Sequence, residues 1–241
     1  MLRDMRTRFF GHALGYLIAV AWPLSHILIL VAIYSLRGLM VPYGDSLPLY
    51  FASGLVPVMA FAYTSRLVMY SVVQNRVLLG FPIVRLFDIM AARSFLEVCA
   101  STFMAVCLCV ILSAVGIDVR PHDGLMAAKA FGSALLLGVG VGFLNGIIVM
   151  RFPFWATGYA LVLIVIYITS GVMFVPGTLP QPVQDVIWWN PALHVVEWMR
   201  LAYYPSYPVD LLNRAYPISV GLIALLCALA SLKLAPRLLL R

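Results

Sequence analysis

Charge is what this 241-residue chain has least of: Asp, Glu, Lys and Arg together make up 10% of it, against 63% hydrophobic residues. Soluble domains carry about 25% charged residues, so the scarcity excludes a soluble fold. Lysine is scarcer still. Lys129 and Lys233 are the only two, and neither follows a glycine. No GxxxxGK[ST] phosphate loop can therefore exist, and the polypeptide does not itself hydrolyse ATP by that route. HExxH and GxSxG are also missing, and His12, His26, His122 and His194 are dispersed. Cys99, Cys107, Cys109 and Cys227 form no CxxC and have no neighbouring His pair, which leaves neither a disulfide framework nor a metal site; they read as buried apolar residues. Glu97 is the one carboxylate expected inside an apolar stretch, paired with Arg93 or Arg66. Proton- and sodium-driven carriers need intramembrane carboxylate relays, and membrane enzymes need clustered polar sites, so both classes lose support.

What is present is six stretches without a single charged residue: 9–36, 46–65, 98–117, 130–150, 152–184 and 215–232. A hydrocarbon core of about 30 Å takes about 20 apolar helical residues, and a backbone in lipid must satisfy its own hydrogen bonds. The expected fold is thus an all-α polytopic membrane protein, a single domain over 1–241, with six transmembrane helices per subunit. With six spans, 11 of the 16 basic residues fall on the side of the two termini and 5 on the other. Basic residues in short loops stay cytoplasmic, so both termini are expected inside. The net charge of +7 is scattered over several loops; it reads as a topology signal and gives no support for nucleic-acid binding.

Residues 1–15 are short, basic and partly apolar, and predict a helix lying in the membrane interface. Residues 72–93 form a long cytoplasmic link with a helix-like apolar pattern, broken by Gly80 and Pro82 and interspersed with Arg76, Arg85, Asp88 and Arg93. Such a link is too apolar for a passive tether; it lies against the membrane or docks on another protein. In the fourth span Gly138, Gly142 and Gly146 share a face, and small residues every fourth position let membrane helices approach closely, within a subunit or across a dimer. The fifth span is expected to end near Val175. Residues 176–215 then hold six prolines and three of the five tryptophans, Trp188, Trp189 and Trp198. This composition predicts two short helices, about 182–189 and 192–203, that dip into the outer leaflet and return, with the tryptophans anchored at the interface. Glu197 and Arg200, one turn apart, are expected to form a local pair or a dimer contact.

Three local patterns, in this order and topology, resemble one family across essentially the whole chain. They are Pro48-Leu49-Tyr50-Phe51-Ala52-Ser53-Gly54-Leu55, then Leu79-Gly80-Phe81-Pro82-Ile83-Val84-Arg85 through Arg93. The third is Leu179-Pro180 followed by Asn190-Pro191-Ala192-Leu193-His194 and Glu197-Trp198-Met199-Arg200. The chain resembles the type-2 permease subunits of ABC exporters, particularly those moving capsular polysaccharide, O-antigen or teichoic acid. The resemblance implies a homodimer in the bacterial inner membrane with two separate ATPase subunits, so that ATP and Mg belong to the partner and this chain is a transport subunit with no catalytic residue. It implies that 72–93 is the coupling loop, with Arg76, Leu79, Phe81, Pro82, Arg85 and Asp88 facing the ATPase. The amino-terminal helix would sit beside it, with Arg3, Arg6 and Arg8 placed for lipid phosphate or for the phosphate of a lipid-linked glycan. A Gram-negative capsule exporter would also need an envelope-spanning partner in the periplasm, met by 176–215.

Sugar chains stack on aromatic faces, which makes Tyr63, Tyr70, Tyr159, Tyr167 and Phe174 candidates for lining the path; core or lipid-facing packing is the competing reading for each. Other functional readings are a drug or lipo-oligosaccharide permease and, from another class, a membrane enzyme or scaffold of glycan assembly. The missing polar cluster argues against the enzyme, and the apolar loop against the scaffold.

Overall fold

The computed structural model describes residues 14–81 and 83–234. Among these residues there are eight α-helices, two short 3-10 turns and no strand. The helices are α1 (Leu14–Leu36), α2 (Leu47–Gln74), α3 (Leu86–Ala114), α4 (Gly124–Arg151), α5 (Trp155–Thr169), α6 (Gln181–Ile187), α7 (Pro191–Tyr203) and α8 (Ala215–Leu234). Four of them, α2, α3, α4 and α8, are long and apolar enough to cross a membrane. Helix α1 is apolar over 23 residues and α5 over 15.

Local chemistry sets several boundaries. Ser46 Oγ accepts from the Leu49 amide at the start of α2, and Asp123 Oδ1 accepts from Met126 at the start of α4, each taking an amide that has no helical acceptor. At the far end of α2 the Asn75 amide nitrogen Nδ2 donates back to the Ser71 carbonyl at 3.0 Å. Asp88 accepts the Arg85 backbone N–H at 2.9 Å, which closes the first turn of α3 and places a carboxylate at the positive end of the helix.

Helix α2 is the hub. It is buried along most of its length and packs on α1, α3, α4, α5 and α7. The expected glycine face is a real seam and lies within the subunit. A Cβ on Gly138 would stand 2.9 Å from Thr64 Cβ, one on Gly142 2.8 Å from Val68 Cβ, and one on Gly146 2.8 Å from Met90 Sδ. The first two bring α4 onto the backbone of α2, and the third seats α3. A second crossing has no repeat in the sequence to mark it. A Cβ on Gly140 would fall on the Gly221 carbonyl oxygen, and one on Gly221 would lie 2.9 Å from Leu137 Cα, so α4 and α8 cross backbone to backbone.

The structure departs from sequence expectation in three places. Helix α3 begins at Leu86, so the second half of the expected link forms its first two turns. Helix α5 stops at Thr169, six residues before Val175. Cys99 and Cys227 are exposed on their helices, not buried: an apolar helix presents part of its circumference outward, and composition alone does not say which part. The expected helix 1–15 and the closing segment 235–241 lie essentially outside the described residues.

Candidate functional site

Two regions concentrate the polar and exposed features, one at each end of the bundle. The first follows from the early stop of α5. At 1.5 Å per residue, 15 residues span about 22 Å, short of a 30 Å core. The chain then turns at Gly171, where φ is +77° and a side chain would be strained. A broken helix leaves carbonyls without helical partners, and these have to be met from elsewhere in the protein. Asn190 Nδ2 donates to the Ile166 carbonyl at 2.8 Å while its Oδ1 caps α7 at the Ala192 amide. Arg200 Nη1 donates to the carbonyls of Gly171 (2.7 Å) and Phe174 (3.2 Å), and Nη2 to Val172 (2.8 Å). Tyr34 on α1 donates to Met173. Gln184 on α6 takes Gly177 and Leu179.

Arg200 is the centre of this arrangement and is fully buried. Its guanidinium lies 4.0 Å from the Tyr50 ring centroid on α2, a desolvated cation–π contact. Gly54 leaves the space: a Cβ there would sit 3.1 Å from Nη2. The expected direct pair of Glu197 and Arg200 is replaced by a relay. Arg200 Nη1 donates to the Tyr207 hydroxyl at 3.1 Å, and that hydroxyl donates to Glu197 Oε1 at 2.9 Å. The reason is geometric: one forked side chain meets three carbonyls on the 171–174 turn, which turns it away from its own helix. Tyr207 is the member of this network that the sequence does not mark, because its spacing to Glu197 across a proline-rich loop carries no signal.

Burial pushes the Glu197 carboxyl from its ordinary 4.5 up to about 7, against the downward pull of the Tyr207 hydrogen bond and the Arg200 charge. A carboxyl whose folded-state pKa is raised contributes stability that is present at low pH and lost as pH rises through about 7. Glu197→Gln is expected to flatten this arm: between pH 4.5 and 7 the wild-type melting temperature in detergent declines relative to the variant. Parallel profiles for the two proteins would contradict the assignment. Burial lowers the His194 pKa from its ordinary 6.5, so its contribution has the opposite sign and is lost as pH falls.

The three tryptophans divide. Trp189 is 69% exposed and suits an interfacial anchor. Trp188 is half-buried and packs on His194 and Tyr216. Trp198 is buried against Ala130 and Met199, because α7 lies between α2 and α4 and not along the edge of the bundle. His194 ties the region to the start of α8: its Nε2 meets the Trp188 carbonyl and its Nδ1 the Asn213 amide.

The second region is the opposite end. After α2, Arg76–Gly80 form a 3-10 turn, and Val77, Phe81, Ile83 and Phe87 are exposed there, Ile83 at 89% and Val77 at 82%. Arg76 and Arg85 are exposed beside them and Leu79 is half-buried; Pro82 lies outside the described residues. A cavity of about 150 Å³ opens beneath this turn, lined by Asn75, Leu78, Val84, Asp88, Ile89 and Arg93 among others. Its floor is fixed by the buried Arg93–Glu97 ion pair at 2.7 Å, the i, i+4 pairing expected from the sequence. Such an apolar rim over a small, partly charged cleft is a surface without a partner in the monomer.

The five candidate path aromatics do not share one surface. Tyr159 is buried and donates to Ser65 at 2.7 Å, which glues α5 to α2. Phe174 packs with Leu193 and Ile187. Tyr167 meets His26 on α1 at 2.8 Å. Tyr63 and Tyr70 are half-buried on one side of α2. Arg3, Arg6 and Arg8 precede the described residues.

Residues 1–204 match the family model described as ABC-2 type transporter. The chain is 28% identical over 229 residues to the polysialic acid transport protein KpsM of Escherichia coli, covering 95% of this chain and 89% of that protein. It is 24% identical over 230 residues to the capsule polysaccharide export inner-membrane protein CtrC of Neisseria meningitidis serogroup B, covering 95% and 87%. On the extent of the family match, this chain belongs to the ABC-2 type transporter family.

Proposed function

We propose that this chain is the membrane-spanning subunit of an ATP-driven exporter of capsular or related cell-surface polysaccharide in the bacterial inner membrane. The observation that carries the reading is similarity over 95% of the chain to two proteins named for polysialic acid transport and capsule polysaccharide export. In this reading α1, α2, α3, α4, α5 and α8 are the six spans, both termini are cytoplasmic, and α6 and α7 are the re-entrant outer pair. Two copies form the pore with two separate ATPase subunits that hold ATP and Mg. The exposed rim of Val77, Phe81 and Ile83, with Arg76, Leu79, Arg85 and Asp88, receives the ATPase, and its motion reaches the pore through α2 and α3. The amino-terminal arginines meet lipid or substrate phosphate. The α6–α7 end faces a periplasmic partner, and Tyr63, Tyr70 and Tyr167 border the path; buried Tyr159, bonded to Ser65, and half-buried Phe174, packed on Leu193 and Ile187, take structural roles.

Deleting the gene is expected to abolish surface polysaccharide while polymer accumulates inside the cell, measured by surface labelling against total glycan in permeabilised cells. Full surface polysaccharide in the deletion strain would refute the reading.

A further inference from the structure

Next to the loop that joins α3 to α4, a cleft of about 190 Å³ opens between α2, α3, α4 and α7. Val56 of α2, Ala105 and Cys109 of α3, Ala128 and Phe131 of α4 and Tyr203 of α7 are among its lining residues. Val56 stands nine residues from the start of α2 and Ala105 nine from the end of α3. The cleft therefore reaches about 14 Å inward along the spans, close to the depth of one leaflet, half of a hydrocarbon core of about 30 Å. Its mouth opens sideways. Ala128 is exposed, Ala105 and Cys109 are half-buried, and a Cβ on Gly132, one turn beyond Ala128, would meet nothing within 4 Å. The gap exists because α3 packs on α2 and scarcely on α4. The mouth adjoins the outward face of α3, where Phe103, Val106 and Val110 are exposed on an apolar span.

The lining decides what fills it. A buried water needs about two to four polar partners. The cleft offers the Cys109 thiol, the Tyr203 hydroxyl and Ser53 Oγ, and Ser53 already donates to the Tyr50 carbonyl at 2.9 Å. Left empty, the walls forfeit their dispersion contacts. An apolar cavity of about 150 Å³ stays dry and takes a benzene ring, so on that scale this one takes a run of about six to eight methylene groups. At this depth in a bilayer the flexible apolar group at hand is an acyl chain. The polar end of such a chain is also met. The Asp123 amide donates to the Ala202 carbonyl at 3.0 Å, which sets Tyr203 level with the start of α4. Tyrosine suits the membrane interface, and the Tyr203 hydroxyl has no hydrogen-bond partner among the described residues.

The geometry points to a phospholipid site: one acyl chain lies in the cleft between α2, α3 and α4, and the Tyr203 hydroxyl donates to its ester carbonyl. The lipid wedges α3, the helix that begins at the exposed rim, against the rest of the bundle. The site draws on the apolar spans alone and is independent of the transport reading, so unchanged surface polysaccharide in the deletion strain leaves it standing.

The test uses the full-length protein in phosphatidylcholine nanodiscs that contain phosphatidylcholine with a photoreactive diazirine in one acyl chain. Irradiation followed by mass spectrometry of the peptides is expected to place adducts on Ala105, Cys109 and Phe131 several times more often than on Val106 and Val110, which face bulk lipid. Ala128→Phe and Ala105→Phe fill the cleft and bring its labelling down to the level of Val110. Tyr203→Phe lowers it by about threefold, for one hydrogen bond within a membrane. Removal of lipid in detergent lowers the melting temperature of wild type more than that of the filled variants. Equal labelling of cleft and outward residues in the wild-type protein shows bulk lipid only and overturns the site, whether or not the variants fold. Cleft labelling that ignores both filling substitutions overturns it as well. Absence of lipid adducts, with Cys109 bridged to a second copy by a bismaleimide, puts protein in the cleft and equally overturns it.

Discussion

Replacing Arg200 with alanine is expected to cut the amount of folded protein in the membrane to under a tenth of wild type, with lysine only a partial substitute. The guanidinium holds three carbonyls of the 171–174 turn, the Tyr207 hydroxyl and the face of Tyr50 at once. Removing one member of a buried charged network costs about 3–5 kcal/mol because its partners stay behind unpaired. Here those partners are backbone carbonyls at the end of a helix too short to span by itself. Folded proteins are stable by about 5–15 kcal/mol in total, so the loss is a large fraction. Lysine keeps the charge but cannot fork to Gly171 and Val172 together. Membrane abundance and melting of the detergent-solubilised variants measure this directly. Wild-type abundance and melting for Arg200→Ala would show that the turn is held by Asn190 and Tyr34 alone.

The second large effect is expected at the α4–α8 crossing. Gly140→Leu or Gly221→Leu places a side chain where the other helix has backbone, which cannot move aside as a side-chain tip can. Overpacking of a tight contact costs about 1–3 kcal/mol or more, and in this position α8 must lift off α4 along its length. Gly142→Leu meets Val68 Cβ and the backbone of Ser65, and is expected to destabilise as well, though part of its obstacle is a side chain. Thermal melting of the three variants should rank Gly140→Leu and Gly221→Leu below Gly142→Leu, and all below wild type. Wild-type melting for Gly140→Leu would mean that the two helices stand apart.

The difference between these glycines marks what the sequence carries. Gly138, Gly142 and Gly146 repeat every fourth residue, and that period alone announces a packing face. Gly140 lies between two of them on another face, and Gly221 stands alone in an apolar helix; neither has a repeat to mark it. The charge-free stretches foretell the long helices because exclusion of charge over about 20 residues is a direct demand of the lipid core. The early end of α5 is weakly marked: Ser170-Gly171 is a turn dipeptide, but the apolar run continues past it to Val175. Its cause sits 29 residues beyond Gly171, in Arg200, and a side chain's carbonyl partners are a tertiary matter. The same holds for Trp198, whose residue type suits an interface but whose position on α7 faces Ala130. The Arg93–Glu97 pair is legible because helical spacing alone brings the two groups together. At the opposite end, the link 72–93 is recognisably too apolar, yet the apolar residues at its end belong to two different elements: Val77 to the 3-10 turn and Phe87 to α3.

The exporter reading stands or falls on whether a separate ATPase binds the exposed rim at residues 76–87. The measurement that tests it most directly is purification of the tagged full-length protein from detergent-solubilised native membranes, with mass spectrometry of what accompanies it. Co-purification of an ATPase subunit in equal amount is expected, with recovery falling by about tenfold or more when Val77, Phe81 and Ile83 are replaced together by serine, as for an interface that loses its apolar anchors. Recovery of the chain without an ATPase, or with one whose binding ignores those three replacements, would contradict the account.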